Sequence, residues 1–170
     1  MSKIIKAINM ACRGISKFNE KLGIYISFVM LLLVFLLPYE AIARYVFNAP
    51  TVWTRDLALQ IQGLLIGLGG GYVLLVKGHV VVDLLVSKLS TKNRAIVNLV
   101  TMPVIFFSVG ILFWLAVQHA YKSVLTKEAF ISVWAPPIYP LKILIALGIL
   151  LLLLQVIVNF IEQLKIALGR

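Results

Sequence analysis

The chain has 170 residues, of which 62% are hydrophobic and only 13% charged, and its formal net charge is +10. Soluble domains carry about a quarter charged and about half apolar residues, so this composition predicts a protein solvated by lipid. A nucleic-acid-binding domain is excluded, because the basic residues lie between apolar runs instead of on one soluble face. Cys12 is the only cysteine, which excludes an intrachain disulfide and a cysteine-based metal site.

The first 21 residues have the pattern of an amphipathic helix. The apolar positions that recur at helical spacing are Ile4, Ile8, Ala11 or Cys12, Ile15 and Phe18. Five basic residues lie mostly elsewhere around the helix, which predicts that residues 1–21 lie along the cytoplasmic leaflet. A basic start, an apolar run and Ala41-Ile-Ala43 also resemble a cleaved signal peptide, but the basic region is too long for a typical one.

Four long windows without ionisable residues follow. They lie between Lys21 and Glu40, Asp56 and Lys77, Arg94 and His119, and Lys142 and Glu162, with 18, 20, 24 and 19 residues. A helix of about 20 residues crosses roughly 30 Å of hydrocarbon. The sequence therefore predicts an all-α membrane protein, a single domain over residues 1–170, with transmembrane helices over 22–46, 57–76, 95–118 and 138–160.

The basic residues are distributed unequally between the two sides of these spans. The N-terminal flank, the second loop and the C-terminus carry 11 Lys and Arg residues, and the opposite side carries 5. Since cytoplasmic flanks are enriched in Lys and Arg, we expect both termini in the cytoplasm.

The second span carries Gly63, Gly67 and Gly71 at intervals of four residues, with Gln60 one turn earlier. Small residues at this spacing let a neighbouring helix approach closely, and a glutamine can form a hydrogen bond across the contact. The pattern is not a phosphate-binding loop, because Lys77 precedes Gly78 instead of following a glycine. We interpret the glycines as a packing face, internal or with a partner, with local flexibility as the alternative.

Polar residues cluster at the outer end of the first two spans. Pro38 predicts a kink, and Glu40 and Arg44 follow in the favourable order for an ion pair one turn apart. The turn Asn48-Ala-Pro50 leads to Trp53, Arg55 and Asp56. Two interpretations stay open: an interfacial ion pair with a tryptophan anchor, or a polar patch that contacts another protein.

The second loop predicts a short interfacial helix over residues 78–90. His79, Asp83 and Ser87 fall on one face, with Lys88 beside them and apolar residues opposite. His79 and Asp83 are two potential metal ligands without a third, and no nucleophile accompanies them. We interpret this face as solvated, and we expect no catalytic residue, cofactor or metal site in this chain.

The middle of each window lacks charge. The midpoints lie near Leu31, Ile66, Phe106 and Leu152, about nine or more residues along the helix from any acidic or basic side chain. Ion-coupled carriers usually place ionisable groups or broken helices at mid-depth. We therefore expect this chain to support one that transports. Two alternatives remain: a four-span proton-coupled exporter that uses Glu40, and an enzyme acting on lipid headgroups through His79 and Asp83.

The residues from Glu40 to Asp56 read Glu-Ala-Ile-Ala-Arg-Tyr-Val-Phe-Asn-Ala-Pro-Thr-Val-Trp-Thr-Arg-Asp. Together with the glycine-rich second span, His79-Val-Val-Val-Asp83 and the entry to span four at Trp134-Ala-Pro-Pro, this run resembles the small membrane subunit (DctQ type) of tripartite ATP-independent periplasmic (TRAP) transporters. The resemblance covers essentially the whole chain in length and span order.

The resemblance implies a bacterial inner-membrane complex with a large multipass subunit and a periplasmic substrate-binding protein. The large subunit would hold the substrate and sodium sites and move by an elevator-like motion, and this chain would be its non-catalytic scaffold. Organic acids, including C4-dicarboxylates and sialic acids, are the implied substrates of this symport, with a sialic-acid system favoured.

The resemblance also suggests roles for residues. Gln60, Gly63, Gly67 and Gly71 would face a close helix neighbour or the large subunit. A periplasmic rim that docks the binding protein would comprise Glu40, Arg44, Trp53, Arg55 and Asp56. His79, Asp83 and Lys88 would lie on the cytoplasmic interfacial helix, and the basic surface helices would attract anionic phospholipids.

Overall fold

A computed structural model describes residues 2–76 and 91–167 of the chain, with side chains for 9–76 and 100–165. These residues form four α-helices: α1 (Ser2–Tyr45), α2 (Thr54–Leu75), α3 (Thr91–Leu125) and α4 (Tyr139–Ala167). Within the described ranges no strand occurs, and one isolated bridge joins Ala129 and Pro137. The predicted all-α fold class with four helices long and apolar enough to cross a membrane is confirmed.

Helix α1 is one continuous helix of 44 residues, which includes both the predicted interfacial segment and the predicted first span. At about 1.5 Å per residue it is roughly 66 Å long, about twice the hydrocarbon thickness. Pro38 lies inside this helix, near its C-terminal end. The orientation of residues 1–21 to the membrane surface stays a prediction.

Helix α3 extends past its predicted span at both ends, whereas α2 extends past its span only at the N-terminal end and α4 only at the C-terminal end. The stretches apolar enough to cross a membrane are Asn9–Tyr45, Thr54–Leu75, Val100–Leu125 and Tyr139–Lys165. Each helix continues past its uncharged window because a charged side chain at a helix end reaches water without ending the backbone hydrogen bonds. The interfacial helix predicted over residues 78–90 lies outside the described residues.

Helix α4 is the centre of the assembly. It packs against α3 on one side and against α2 on the other, while α2 also packs against α1 and a smaller contact joins α1 to α4. In the apolar 18-residue window of α4, 28% of the residues are buried, against 6% in that of α3. Most of the apolar surface of α1 and α3 is therefore left for lipid or a partner to cover.

Polar contacts fix the relative position of α1 and α4 near the two chain termini. The Asn19 Nδ2 atom donates a hydrogen bond to Gln155 Oε1 at 2.9 Å, and Lys165 Nζ donates to Asn9 Oδ1. From Asn9 to Asn19 the chain advances ten residues along α1, while the partner residue goes back ten residues along α4, from Lys165 to Gln155. The two helices therefore run antiparallel, and residues 9–19 lie alongside residues 155–165.

Candidate functional site

Two regions contain the residues that the sequence singled out. The first is the crossing of α2 and α4. The second is the loop end, which we define as residues 40–56 with the α3–α4 loop, residues 126–138, and Lys142. These regions lie at different levels of the helix assembly, and each has contacts that the sequence pattern did not predict.

The glycines of α2 lie against helices of the same chain. An added Cβ atom at Gly67 would lie 3.0 Å from the Ile145 Cα atom, and one at Gly148 would lie 2.1 Å from the Gly67 carbonyl oxygen. Backbone therefore meets backbone where α2 crosses α4, and no larger residue fits at either glycine. Gly148 is a member of this crossing that the sequence analysis missed.

The two other α2 glycines have different neighbours. A Cβ atom at Gly63 would lie 3.3 Å from the Leu141 side chain, and one at Gly71 would lie 2.8 Å from Asn19 Oδ1 of α1. Gln60 lines an open groove of about 410 Å³ beside Trp134, and its Nε2 atom is buried without a hydrogen-bond partner among the described residues. The glycine face of α2 thus contacts both α4 and α1.

Asn19 and Gln155 form a buried amide pair between α1 and α4. Gln155 is fully buried, and its Nε2 atom donates to Asn159 Oδ1 at 3.1 Å and to Ser16 Oγ at 3.4 Å. Asn19 is 1% exposed. Gln155 is the only polar side chain between Ile143 and Val158. A single polar residue in such a long apolar run was the one sequence signal that could have predicted this buried pair.

Glu40 connects α1 to the start of α2 at the loop end. Arg44 Nη2 donates to Glu40 Oε1 at 2.6 Å one helical turn away, and Thr51 donates to Glu40 Oε2 through its hydroxyl at 2.5 Å. The Thr51 and Thr54 hydroxyls are also hydrogen-bonded to each other. Asn48 adopts φ 49°, in the left-handed region that asparagine tolerates, and thereby reverses the chain between the two helices.

Asp56 anchors the α3–α4 loop. It is 4% exposed, and its Oδ2 atom accepts a hydrogen bond from Ser132 Oγ. Ser132 Oγ in turn accepts a hydrogen bond from Ala135 N at 2.9 Å. Ala135 has φ 46°, an uncommon value for a residue with a side chain, so these bonds hold a specific loop conformation.

Backbone hydrogen bonds and a salt bridge close the base of the same loop. Phe130 N donates to Pro136 O at 3.0 Å, and Ile138 N donates to Glu128 O at 2.9 Å. Lys142 Nζ lies 2.5 Å from Glu128 Oε2. The hydrogen bond from the Lys142 ammonium group lowers the pKa of Glu128 below its ordinary value of 4.5.

This braced loop exposes apolar side chains at its tip. Ile131 and Val133 are both almost fully solvent-accessible. Among the predicted rim residues, Arg44 and Arg55 are exposed, whereas the Asp56 side chain is occupied inside the fold. The loop end therefore offers two arginines and an apolar tip as accessible groups. The tip could not be predicted from the sequence, because isolated apolar residues in a loop carry no periodicity.

The remaining predicted residues, His79, Asp83 and Lys88, lie outside the described residues. Within the part of the chain that the structure describes, no three His, Cys, Asp or Glu side chains come together in a way that could hold a metal ion. The described residues thus define a polytopic membrane protein whose distinctive features are helix contacts and an exposed loop end.

Residues 22–166 match the family described as "Tripartite ATP-independent periplasmic transporters, DctQ component". The match covers most of the 170-residue chain, and the chain belongs to this family. No curated protein matches the sequence. The resemblance drawn from the Glu40–Asp56 run is confirmed.

Family membership sets the role of the chain at a general level. It is the small membrane subunit of a TRAP transporter and a multi-pass protein of the inner membrane. In such systems the DctQ component works with a large membrane subunit and a periplasmic binding protein, and it is not an enzyme. The lipid-headgroup enzyme and the self-contained exporter, the two alternatives left open by the sequence, are replaced by this assignment.

Proposed function

We propose that this chain is the static scaffold of a sodium-coupled importer of organic acids of the C4-dicarboxylate or sialic acid class. The observation that supports a scaffold most directly is the α2–α4 crossing, where Gly67 and Gly148 put backbone against backbone. A contact this close fixes two helices and does not let them slide past one another. Substrate and sodium would bind in the large subunit.

Co-purification tests this proposal. The chain is extracted from native membranes in mild detergent, and intact-complex mass spectrometry identifies the proteins bound to it. We expect one large multipass chain in stoichiometric amount, and we expect sodium-dependent uptake of an organic acid only when both chains and the binding protein are reconstituted. Uptake by the small chain alone, or full uptake without it, would refute the scaffold role.

The proposal includes an orientation. Both termini face the cytoplasm, since 11 of the 16 Lys and Arg residues flank the spans on that side. The loop end then faces the periplasm, where a binding protein arrives. Cysteine labelling with a membrane-impermeant maleimide tests this orientation, because a cysteine introduced at Ile131 would react from outside intact spheroplasts and one introduced at Lys17 would not.

The seam between α3 and α4 is the surface that we assign to the large subunit. Helix α3 packs mainly against α4, and its exposed side chains between Val100 and Val117 are apolar except for Thr101 and Ser108. Two shallow apolar grooves of about 290 and 330 Å³ run along this seam. Grooves of this kind accept side chains of a partner helix.

Cysteine cross-linking tests this assignment, and the chain suits it because Cys12 is the only native cysteine. In a Cys12→Ala background, a cysteine at Val104 or Phe107 is expected to cross-link to cysteines in the large subunit. A cysteine at Phe28, equally exposed on α1, is the matched control. Cross-linking from Phe28 alone would place the large subunit on the opposite face.

The loop end is the surface that we assign to the binding protein. Apolar groups ringed by polar ones are typical of protein contacts, and the braced loop loses little conformational entropy when Ile131 and Val133 are bound. Arg55 supplies an exposed charge nearby. Arg55→Glu and Ile131→Ser should raise the binding-protein concentration needed for half-maximal uptake, with subunit association and maximal rate unchanged. Unchanged uptake at a limiting concentration of binding protein would refute this assignment.

The basic part of α1 would attract anionic phospholipids. Each Lys or Arg close to an anionic membrane surface strengthens this attraction by about 1 kcal/mol, and the effect falls off within a Debye length. Attraction of this kind needs no defined site, and it would hold the subunit at a constant depth in the membrane.

A further inference from the structure

We propose that the outer face of α1 binds one anionic phospholipid, with its phosphate held by Arg13, Lys17 and Lys21. This inference deepens the general attraction of anionic lipid proposed above and rests on it. The three basic residues follow one another at intervals of four, so they form one stripe along the helix. All three side chains are exposed.

The stripe points away from the rest of the protein. Residues two apart on a helix point roughly 200° from each other, so Lys21 lies opposite the buried Asn19 and Gly23. Among the described side chains, neither Lys17 nor Lys21 forms a salt bridge with an acidic residue. Glu20, three residues after Lys17, is exposed, so among the described side chains the stripe keeps a net positive charge.

The register of α1 against α4 places these lysines beside the C-terminal part of α4. Because Asn19 pairs with Gln155 in antiparallel helices, Lys21 lies level with about residue 153 of α4 and Lys17 with about residue 157. Both levels fall in the uncharged stretch that ends at Glu162, roughly 13 and 8 Å from it along the axis. The edge of the hydrocarbon that Lys21 marks on α1 therefore meets α4 near residue 153. An ammonium group at this edge needs a nearby anion or a route to the surface.

The surface of α1 provides a place for that anion. Side chains on a helix lean toward its N-terminus, so both lysines extend toward Arg13. There an open groove of about 530 Å³ is lined by Asn9, Met10, Arg13, Gly14 and Lys17. An added Cβ atom at Gly14 would meet no described atom within 4 Å, so the described residues leave the floor of the groove open to a headgroup.

Apolar side chains continue the same stripe where acyl chains would lie. Tyr25 and Phe28 follow Lys21 by four and seven residues and are 70% and 64% exposed, and Phe35 is 73% exposed. The distance from Lys21 to Phe35 is roughly 21 Å along the axis, longer than the half-thickness of about 15 Å that one acyl chain covers. A row of cations followed by a row of aromatic rings matches an anionic amphiphile, and it does not match a soluble anion.

Native mass spectrometry of the delipidated full chain tests this site with phosphatidylglycerol and with phosphatidylcholine of the same acyl chains. The variant R13Q/K17Q/K21Q should bind phosphatidylglycerol about a hundredfold more weakly than the wild type, at about fivefold per charge. Phosphatidylcholine binding should not differ between them. The matched control R55Q/K122Q/K127Q removes one arginine and two lysines at the other end and should bind phosphatidylglycerol like the wild type.

Four outcomes would overturn the site. Equal losses in both triple variants would leave only the general attraction, whereas equal affinity of the wild type and R13Q/K17Q/K21Q would refute the attraction as well. Displacement of phosphatidylglycerol by excess inorganic phosphate, but not by the same ionic strength of chloride, would assign the stripe to a soluble anion. Loss of phosphatidylglycerol when the large subunit is added would assign the stripe to that partner.

Discussion

Replacing Gly148 with alanine should separate α2 from α4. The added Cβ atom would lie 2.1 Å from the Gly67 carbonyl oxygen, 2.5 Å from its carbon and 2.9 Å from Leu68 Cα. Because all three are backbone atoms, no side chain can rotate out of the way, and reaching ordinary contact at 3.4 Å requires a shift of about 1.3 Å (3.4 − 2.1). Overpacking costs about 1–3 kcal/mol, and a backbone clash belongs at the upper end, about 3 kcal/mol.

The assay is thermal unfolding of the purified chain in detergent. At about 2–4 °C per kcal/mol for a chain of this size, the apparent Tm should fall by roughly 6–12 °C. Gly110→Ala is the matched control, because an added Cβ atom there meets no described atom within 4 Å. Alanine's higher helix propensity should leave the Tm unchanged or slightly higher. Equal Tm values for both variants would refute the backbone contact between α2 and α4.

Three further perturbations test the polar contacts. Asp56→Ala removes the hydrogen-bond acceptor for the Ser132 hydroxyl, and hydrogen bonds to charged groups contribute about 1.5–3 kcal/mol. Trypsin cleavage within residues 126–138, measured as the rate of fragment formation, should therefore rise about tenfold. Gln155→Leu leaves the Asn19 amide unpaired and should lower thermal stability by about 1–2 kcal/mol, and adding Asn19→Leu should restore part of it. The lowered pKa of Glu128 means that its ionised form stabilises the loop above pH 4.5. Protection of the loop from cleavage by pepsin should therefore fall as the pH drops below that value. The Glu128→Gln variant should lose this pH dependence.

The number and type of the helices were predictable because lipid imposes a simple rule. A chain in hydrocarbon must satisfy its backbone hydrogen bonds internally, so each uncharged window of about 20 residues forms a helix. The ends of the helices were less predictable. Helix α1 begins at Ser2 because the amphipathic pattern of residues 1–21 is itself helical and joins the first span without a break.

The contacts between helices were not predictable from periodicity. Lipid-facing and packed surfaces are both apolar, so hydropathy does not distinguish the face of α2 that meets α4 from the face that meets lipid. Gly67 was singled out by its repeat, whereas Gly148 stands alone among aliphatic residues and was missed. The level of Lys21 relative to α4 was not predictable either, because the sequence windows do not give the register between helices, which the pairing of Asn19 with Gln155 sets.

The buried amide pair has a consequence for biogenesis. Asn19 and Gln155 are separated by 136 residues, so the ribosome completes the first partner long before the second. At about 5–20 residues per second, the wait is roughly 7–27 s. During that interval the Asn19 amide has no acceptor on α4. The nascent α1–α2 hairpin is therefore an incomplete intermediate that benefits from being held at the insertion machinery until α4 emerges.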